Sequence, residues 1–207
     1  MARPMIFTGQ RFVPVIVIDD ARQAAPLAEA LLRGGIGCAE ITLRTDAGLA
    51  AITAASAVPD FIVGAGTVLT PDDVDRVVEA GARFVVSPGL AEDVVERSIA
   101  LGVEVIPGVA TATEVQRALR LGLSRLKLFP AGPLGGIAVV RALAGPFPDV
   151  PFLPSGGVTA ENAGEYLASP SVFAVSGSWM ATRDLIAAGD FEAIERLSRA
   201  CVALEPA

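Results

Sequence analysis

The amino-acid sequence predicts a single (β/α)8 barrel with parallel strands. Short apolar runs alternate with alanine- and leucine-rich amphipathic segments along the whole 207-residue chain. Such regular alternation is typical of βα units that build a parallel sheet. Three segments also end in one repeated pattern, in which a helix stops, the chain turns on Gly81, Gly102 or Gly122, and a strand follows. We therefore expect residues 1–207 to form one domain.

Eight apolar runs supply the expected strands, and their lengths of four to six residues are typical of strands. The runs are 13–18, 38–43, 61–66, 84–87, 103–107, 125–129, 151–154 and 172–176. An open doubly wound sheet is the alternative. It usually needs fewer strands, and no glycine-rich dinucleotide fingerprint follows the first run.

The segments between the runs carry helix start signals. Thr70 precedes Pro71 and two aspartates, which predicts an N-cap, a proline in the first helical position and acids in the first turn. Thr111 and Glu114 have the spacing of a capping box. Thr159 is expected to open another helix. The expected helix ends fall at Gly34, Gly81, Gly102 and Gly122.

Composition excludes several partners and reactions. The formal charge of -7, without any basic block, argues against a nucleic-acid surface. No apolar segment is long enough to span a bilayer, and we read the run before Asp19 as a strand and not a signal peptide. Cys38 and Cys201 show no metal spacing or disulfide framework, which favours the reducing cytoplasm. We expect a cytoplasmic protein without a membrane partner.

The chain contains no histidine, so it has no Ser-His-Asp triad, Cys-His pair or imidazole-bound zinc. Acid–base chemistry must therefore use carboxylates, lysine, tyrosine or water. Composition leaves a carboxylate-bound magnesium open, but the sequence shows no acidic cluster for one.

Lys127 is the only lysine, and the other fifteen basic side chains are arginines. It lies in an apolar run that is suited to a buried strand. Arginine stays charged in proteins, whereas a desolvated lysine can lose its proton and act as a nucleophile. An arginine-rich composition explains why lysine is scarce but not why one lysine stands here, so we expect a chemical role.

Strand alternation places further side chains beside this lysine. Function in such a barrel collects at the carboxyl ends of the strands. Glu40, Thr42 and Arg44 share one face, which points into the barrel or its mouth, and Lys127 points inward by the same parity. Thr67 ends the third run. A structural ion pair between Glu40 and Lys127 is the alternative, as is a turn-capping role for Thr67.

Glycine turns follow the last two runs. Gly156 and Gly157 come after the seventh run, and Gly177 and Ser178 follow the eighth. Loops at these two strand ends commonly bind phosphate through backbone N–H groups that glycine leaves accessible. The sequence therefore predicts a bound anion across the barrel mouth from Glu40.

A series of motifs in this order resembles one family over nearly the whole chain, from Val13 to about residue 200. The motifs are Glu40-Ile-Thr-Leu-Arg44, Gly64-Ala-Gly-Thr67, Ser87-Pro-Gly89, Pro107-Gly108, Lys127-Leu-Phe-Pro130, Pro154-Ser-Gly-Gly157 and Gly177-Ser-Trp179. They are similar to those of the 2-keto-3-deoxy-6-phosphogluconate (KDPG) aldolases, also described as 4-hydroxy-2-oxoglutarate aldolases.

The resemblance implies a fold, an activity and a set of site residues. It implies a homotrimeric barrel enzyme that cleaves KDPG, a 2-oxo acid phosphate of the Entner-Doudoroff pathway, to pyruvate and glyceraldehyde 3-phosphate. The expected mechanism is a Schiff base without metal or cofactor, and 4-hydroxy-2-oxoglutarate is a possible second substrate. By resemblance, the catalytic residues are Lys127 and the proton-transferring Glu40. The carboxylate contacts are Arg44 and Thr67, the phosphate contacts Gly156, Gly157 and Ser178, and other pocket positions Ser155, Pro88 and Phe129.

The chain departs from the family pattern at three places. Serine stands at 155 where threonine is frequent, glycine stands at 132 where an acid is frequent, and the segment before Val13 is short. Gly132 leaves substrate preference open. Two other functions also fit the residues: a sugar-phosphate isomerase or epimerase that uses Glu40 and Lys127 as bases, and a non-catalytic phosphosugar-binding barrel.

Overall fold

The structure, a computed structural model, describes Phe7 and residues 9–204; the ends of the predicted domain and part of the segment before Val13 lie outside these residues. Nine strands occur within the described residues, and all their pairings are parallel. The strands are Phe12–Ile16 (β1), Cys38–Thr42 (β2), Ile62–Gly66 (β3), Phe84–Val86 (β4), Glu104–Ile106 (β5), Gly108–Val109 (β6), Leu126–Leu128 (β7), Phe152–Pro154 (β8) and Val175–Gly177 (β9).

Helices connect the strands, as parallel pairing requires. A short 3-10 helix, Ala21–Gln23, precedes the first of them. The α-helices are Ala24–Arg33 (α1), Gly48–Ser56 (α2), Pro71–Glu79 (α3), Glu92–Leu101 (α4), Ala112–Arg120 (α5), Ile137–Ala144 (α6), Ala163–Leu167 (α7), Arg183–Ala188 (α8) and Phe191–Val202 (α9).

Every predicted apolar run overlaps a strand, and the fifth and eighth runs show the differences that matter for the sheets. A further strand, β6, begins just beyond the fifth run, which ends at Pro107, a residue with no N–H to donate to a sheet. Its carbonyl oxygen still accepts a hydrogen bond of 2.9 Å from the Lys127 N–H. Since β5 pairs with β4 and β6 pairs with β7, Pro107 is where the chain passes from one sheet to the other. The last strand begins at Val175 and not at residue 172.

The strand pairings form two parallel sheets. One has the order β5-β4-β3-β2-β1-β9, and the other has the order β6-β7-β8. From β1 to β5, neighbours in the sheet follow chain order, without the reversal that marks a doubly wound sheet. Isolated bridges join Phe152 to Val172 and Ser155 to Ser176 between the sheets. A parallel α/β fold is therefore confirmed, whereas continuous pairing of eight strands in one closed sheet is not shown.

Alternation along the strands separates two hydrophobic clusters. In β4, Val85 belongs to the outer cluster against the helices, whereas Phe84 and Val86 belong to the inner cluster that the strands surround. The Phe84 ring occupies the space above Gly64, where any Cβ would overlap the ring. Burying one such side chain contributes about 1.5–3 kcal/mol. The inner cluster contains Phe7, Val13, Cys38, Phe84, Val86, Ile106, Leu153 and Ala174.

Two helices begin as the sequence predicts, and one begins later. Thr70 and Thr111 are the N-caps of α3 and α5, and each closes a capping box with the acid three residues on. Thr159 does not cap α7, which begins at Ala163 after Asn162. The Asn162 side chain accepts from the Thr159 N–H at 2.8 Å and donates to the Gly157 carbonyl at 2.9 Å. These bonds hold residues 157–162 as a loop and delay the helix.

Replacing Thr70 with alanine should lower the free energy of unfolding by about 1 kcal/mol, because its Oγ1 accepts the Asp73 N–H at 3.1 Å. Urea denaturation measures the change. Thr53→Ala is the matched control, since Thr53 is exposed within α2 and caps no helix. We expect the control to stay within about 0.5 kcal/mol. Equal losses in both variants would contradict a specific capping contribution.

Candidate active site

One cavity of about 380 Å³ opens at the carboxyl ends of the strands. All ten site residues predicted from the sequence lie on its wall. Strand ends converge here because the strands are parallel, so loops from distant parts of the chain meet. The lining residues are Val15, Val17, Glu40, Arg44, Thr67, Pro88, Lys127, Phe129, Ser155, Gly156, Gly157, Val158, Gly177 and Ser178.

Lys127 and Glu40 form a buried ion pair at the base of this cavity. The Lys127 Nζ donates to Glu40 Oε1 at 3.3 Å, although the residues are 87 positions apart in the chain. Lys127 is only 5% exposed and Glu40 is 1% exposed. The second carboxylate oxygen, Oε2, is buried and has no hydrogen-bond partner among the described residues. An unpaired buried acceptor costs about 1–3 kcal/mol, so a ligand that donates to Oε2 would relieve an existing penalty.

Phe129 links the lysine to the glycine turn after β8. Its ring centroid lies 5.3 Å from Lys127 Nζ, within the range of a cation–π contact. The Cδ2–Cε2 edge of the ring approaches Gly156, where a Cβ would come within 3.0 Å of Cε2. The ring therefore fills the space between the amine and the turn and keeps that wall apolar.

Arg44 and Thr67 lie at the mouth, after β2 and β3. Arg44 is exposed and forms no ion pair with another described residue, so its guanidinium is available to an anion. Thr67 has a φ of 59°, a left-handed conformation that is rare for a β-branched residue. Strain of this kind clusters at ligand-binding positions, because the surrounding structure must hold it.

The glycine turn after β8 presents unpaired backbone donors. Gly156 and Gly157 have φ values of 80° and 87°, which a residue with a Cβ rarely adopts. Their N–H groups donate to no other described residue. The bridge between Ser155 and Ser176 brings this turn beside Ser178, which follows β9. Backbone N–H groups of this kind beside a hydroxyl are typical of anion-binding concavities.

The family described as "Aldolase: KDPG and KHG aldolase" matches residues 5–197 of the chain. This chain belongs to the KDPG and KHG aldolase family. The recognition made from its motifs is confirmed, and the protein is an aldolase, a carbon–carbon lyase. The isomerase and non-catalytic alternatives are not favoured.

Individual relatives cover nearly the whole aldolase. The 2-dehydro-3-deoxy-phosphogluconate aldolase of Treponema pallidum is 47% identical over 91% of this chain and 90% of its own length. The KHG/KDPG aldolase of Escherichia coli is 43% identical over 95% and 93%, respectively. The KDPG aldolase structure of Legionella pneumophila, with pyruvate captured at low pH as a covalent carbinolamine intermediate, has a TM-score of 0.91. It is 40% identical and covers 94% of this chain and 95% of that one.

Sequence reasoning assigned no site role to four lining residues of the aldolase, although it placed one of them, Gly177, in a predicted anion-binding turn. Val15 and Val17 lie two and four positions after Val13 of the inner cluster and have the same parity, so alternation alone could have found them. Val158 and Gly177 directly adjoin predicted positions. Thr42, predicted to face inward, is buried and does not line this cavity; its hydroxyl donates to the Ile16 carbonyl at 2.9 Å and ties β2 to β1.

The sole tryptophan supports the turn after β9. Its ring lies over Gly177, where a Cβ would overlap the indole. The same indole also packs edge-on against the Phe12 ring, at a centroid distance of 6.3 Å. Trp179 thus fixes the backbone immediately before and after Ser178.

The two thiols lie away from the cavity. Burial raises the pKa of Cys38 to about 12 and also raises the pKa of Cys201. Both remain protonated near neutral pH and neither lines the cavity, so neither thiol is placed to act as its nucleophile. Within the described part of the chain, no cluster of three or more potential metal ligands occurs, and no helix is both long and apolar enough to cross a membrane.

Proposed function

We propose that this aldolase cleaves KDPG to pyruvate and glyceraldehyde 3-phosphate through a Schiff base on Lys127. The observation that carries the proposal is the single lysine, buried at the base of the cavity against Glu40. The Legionella relative was captured with pyruvate as a covalent carbinolamine. A carbinolamine forms from a carbonyl and an amine, and Lys127 is the only side chain here that supplies a primary amine.

The first half of the reaction joins the amine to the substrate. A proton passes from Nζ to the Glu40 carboxylate along the 3.3 Å contact, and this leaves a neutral amine. Nζ attacks the C2 keto carbon, and the oxygen takes up the proton that the nitrogen loses to give the neutral carbinolamine, while Glu40 keeps its proton. Glu40 then protonates the departing hydroxyl, and water leaves behind an iminium. General acid–base assistance of this kind typically accelerates a step by about 10²–10⁴-fold.

The iminium is the electron sink for bond cleavage, so no metal is needed to stabilise the developing carbanion. Glu40 removes the C4 hydroxyl proton, the C3–C4 bond breaks, and glyceraldehyde 3-phosphate departs. The bonding electrons form an enamine on the remaining three carbons. Protonation of C3 by Glu40 and hydrolysis of the iminium release pyruvate and restore the amine. The cavity wall holds one titrating acid, Glu40, beside Lys127, which supports one shuttle for all these steps.

The two charged ends of the substrate require different partners. We assign the carboxylate to Arg44 and Thr67 and the phosphate to Gly156, Gly157 and Ser178. The unpaired guanidinium supports the first assignment, since it matches a carboxylate in two-pronged geometry. The free N–H groups of the glycine turn support the second. Ser155, Pro88 and Phe129 would shape the space between the two ends.

The same site would also accept 4-hydroxy-2-oxoglutarate. This acid is abbreviated KHG in the name of the Escherichia coli relative, "KHG/KDPG aldolase". That acid has the same 2-oxo and 4-hydroxy groups, so its chemistry at Lys127 is unchanged. It lacks the phosphate, and its recognition would depend on the carboxylate contacts alone.

We further propose that the two sheets together close one eight-stranded barrel, in which β5 and β6 form one strand interrupted at Pro107, and that the chain is one domain. The inner cluster supports closure, because it combines Val13 and Phe84 from the larger sheet with Leu153 from the smaller one. The bridge between Ser155 and Ser176 supports it also. A homotrimer in the cytoplasm, expected from the resemblance and the composition, stays a prediction.

Borohydride should trap pyruvate on Lys127. Hydride reduces the iminium to a stable secondary amine, so mass spectrometry should find one reduced pyruvyl group per chain. Trypsin does not cleave at modified lysine, and the adduct should therefore map to the peptide from Leu126 to Arg141. Lys127→Arg keeps the charge but cannot form the imine, so it should abolish both adduct and turnover. Cleavage by this variant at a rate comparable to that of the wild type would contradict the covalent mechanism. Loss of wild-type activity in EDTA would contradict it also, because the iminium requires no metal.

Glu40→Gln keeps the size of the side chain but removes the titrating group. We expect kcat to fall by about 10²–10⁴-fold. Exchange of the pyruvate methyl protons with solvent, followed by NMR, should fall in parallel, because it requires the same proton transfer. Exchange close to the wild-type rate would mean that Glu40 has only a structural role, as the ion-pair partner of Lys127.

Gly157→Ala should weaken binding of the phosphorylated substrate. Its φ of 87° disfavours alanine, and the added Cβ would come within 3.0 Å of the Gly132 Cα. The turn must shift, so KM for KDPG should rise about tenfold or more, which corresponds to the loss of about 1.4 kcal/mol. KM for 4-hydroxy-2-oxoglutarate should change much less. Equal effects on both substrates would mean that the turn supports the fold and does not bind phosphate.

A further inference from the structure

Gly66, at the end of β3, is in direct contact with the catalytic carboxylate. A Cβ built at this position would overlap Oε1 and Cγ of Glu40 and come within 2.6 Å of Cδ. Real Cβ atoms essentially never approach another heavy atom closer than 3.0 Å. The Glu40 side chain therefore fills the space that any other residue at 66 would take.

Strand register explains why the two residues meet. Glu40 pairs with Gly64 and Thr42 pairs with Gly66, so Gly64 and Gly66 face inward on the strand beside Glu40. The side chain of Glu40 extends toward the mouth and reaches Gly66, two positions farther along the neighbouring strand. Phe84 occupies the equivalent space over Gly64. The two glycines thus make room for two different side chains, one in the inner core and one in the site.

The conformational freedom of glycine does not explain why this residue stands at position 66. Its φ does not lie in the left-handed region, and it pairs regularly with Thr42 on one side and Val86 on the other. Its carbonyl oxygen also accepts the Leu43 N–H at 2.9 Å. An L-residue could adopt this strand conformation, so the close carboxylate is what requires glycine here.

Glu40 has little freedom to move while keeping its partner. The residue is 1% exposed, and Phe84 fills the space on the side of the inner core. A side chain at 66 would therefore push the carboxylate into the open cavity. That movement would lengthen the 3.3 Å contact between Oε1 and Nζ on which the proton transfers depend.

We propose that Gly66 is a positioning residue, which acts on catalysis only by leaving the space that holds the Glu40 carboxylate against Lys127. The inference rests on the proposed function and adds to it a residue that contacts no substrate. It does not require Gly66 to contribute to substrate binding, so KM and kcat should respond differently to its replacement.

The direct experiment is Gly66→Ala. We expect kcat for KDPG to fall by about 10²-fold or more, as for loss of an acid–base group, with KM within about threefold of the wild type. Exchange of the pyruvate methyl protons should fall with kcat. A crystal structure of the variant should show the Nζ to Oε1 distance beyond 4 Å, a measurement that does not depend on which substrate the enzyme uses.

A double-mutant cycle separates positioning from general damage. In the Glu40→Gln enzyme the titrating group is already absent, so adding Gly66→Ala should change kcat by no more than about threefold. A merely structural role would instead multiply the two losses. Gly64→Ala is the matched control, because its Cβ meets Phe84 and not Glu40. It should lower the melting temperature and leave kcat of the folded enzyme within about threefold of the wild type.

Folding failure is also informative. If Gly66→Ala does not fold, the variant that combines Gly66→Ala with Glu40→Ala should fold, because the overlapping atoms of Glu40 are then gone. Failure of both variants would overturn the proposal, as would a Gly66→Ala enzyme with normal kcat and an unchanged Nζ to Oε1 distance. Either result would leave the Schiff-base function standing, since borohydride trapping on Lys127 tests that function separately.

Discussion

The contact between Lys127 and Glu40 is the constraint on which the rest of the structure depends. Removing two charges from water costs several kcal/mol for each, and their attraction offsets this only in good geometry. The geometry comes from two strands that are far apart in the sequence, so the parallel sheets must be in register before the pair can form. The buried inner cluster beneath the pair leaves no space on that side into which either side chain could move, so the two charged groups stay in contact.

Much of this arrangement was predictable from local pattern, and the remainder depends on tertiary contacts. Apolar runs bounded by glycine located the strands, and parity placed Glu40 and Lys127 inward, because both signals depend on neighbouring residues alone. Pro107 separates β5 from β6, and this break can be recognised only when their different partner strands, β4 and β7, are known. Asn162 sets the start of α7 through hydrogen bonds to a loop, and no spacing rule in the sequence indicates these bonds.

The candidate site shows the same division. Motif order gave ten positions that lie on one cavity, whereas the reason for Gly66 appears only when its neighbour across the sheet is known. Sequence alone reads such a glycine as flexible, although here it is a regular strand residue. Alternation predicted that Thr42 points into the barrel or its mouth; its hydroxyl donates to the Ile16 carbonyl on the adjacent strand, and the residue does not line the cavity. Parity predicts the direction of a side chain and not its partner.

The indole over Gly177 gives the molecule a built-in optical probe. The chain has one tryptophan, so its tryptophan emission arises from a single place, next to the hydroxyl assigned to the phosphate. Emission depends on the polarity and mobility around the ring, both of which change when an anion orders the adjacent backbone. A titration with inorganic phosphate would follow occupancy of that end of the cavity at equilibrium, without labels, coupling enzymes or catalysis.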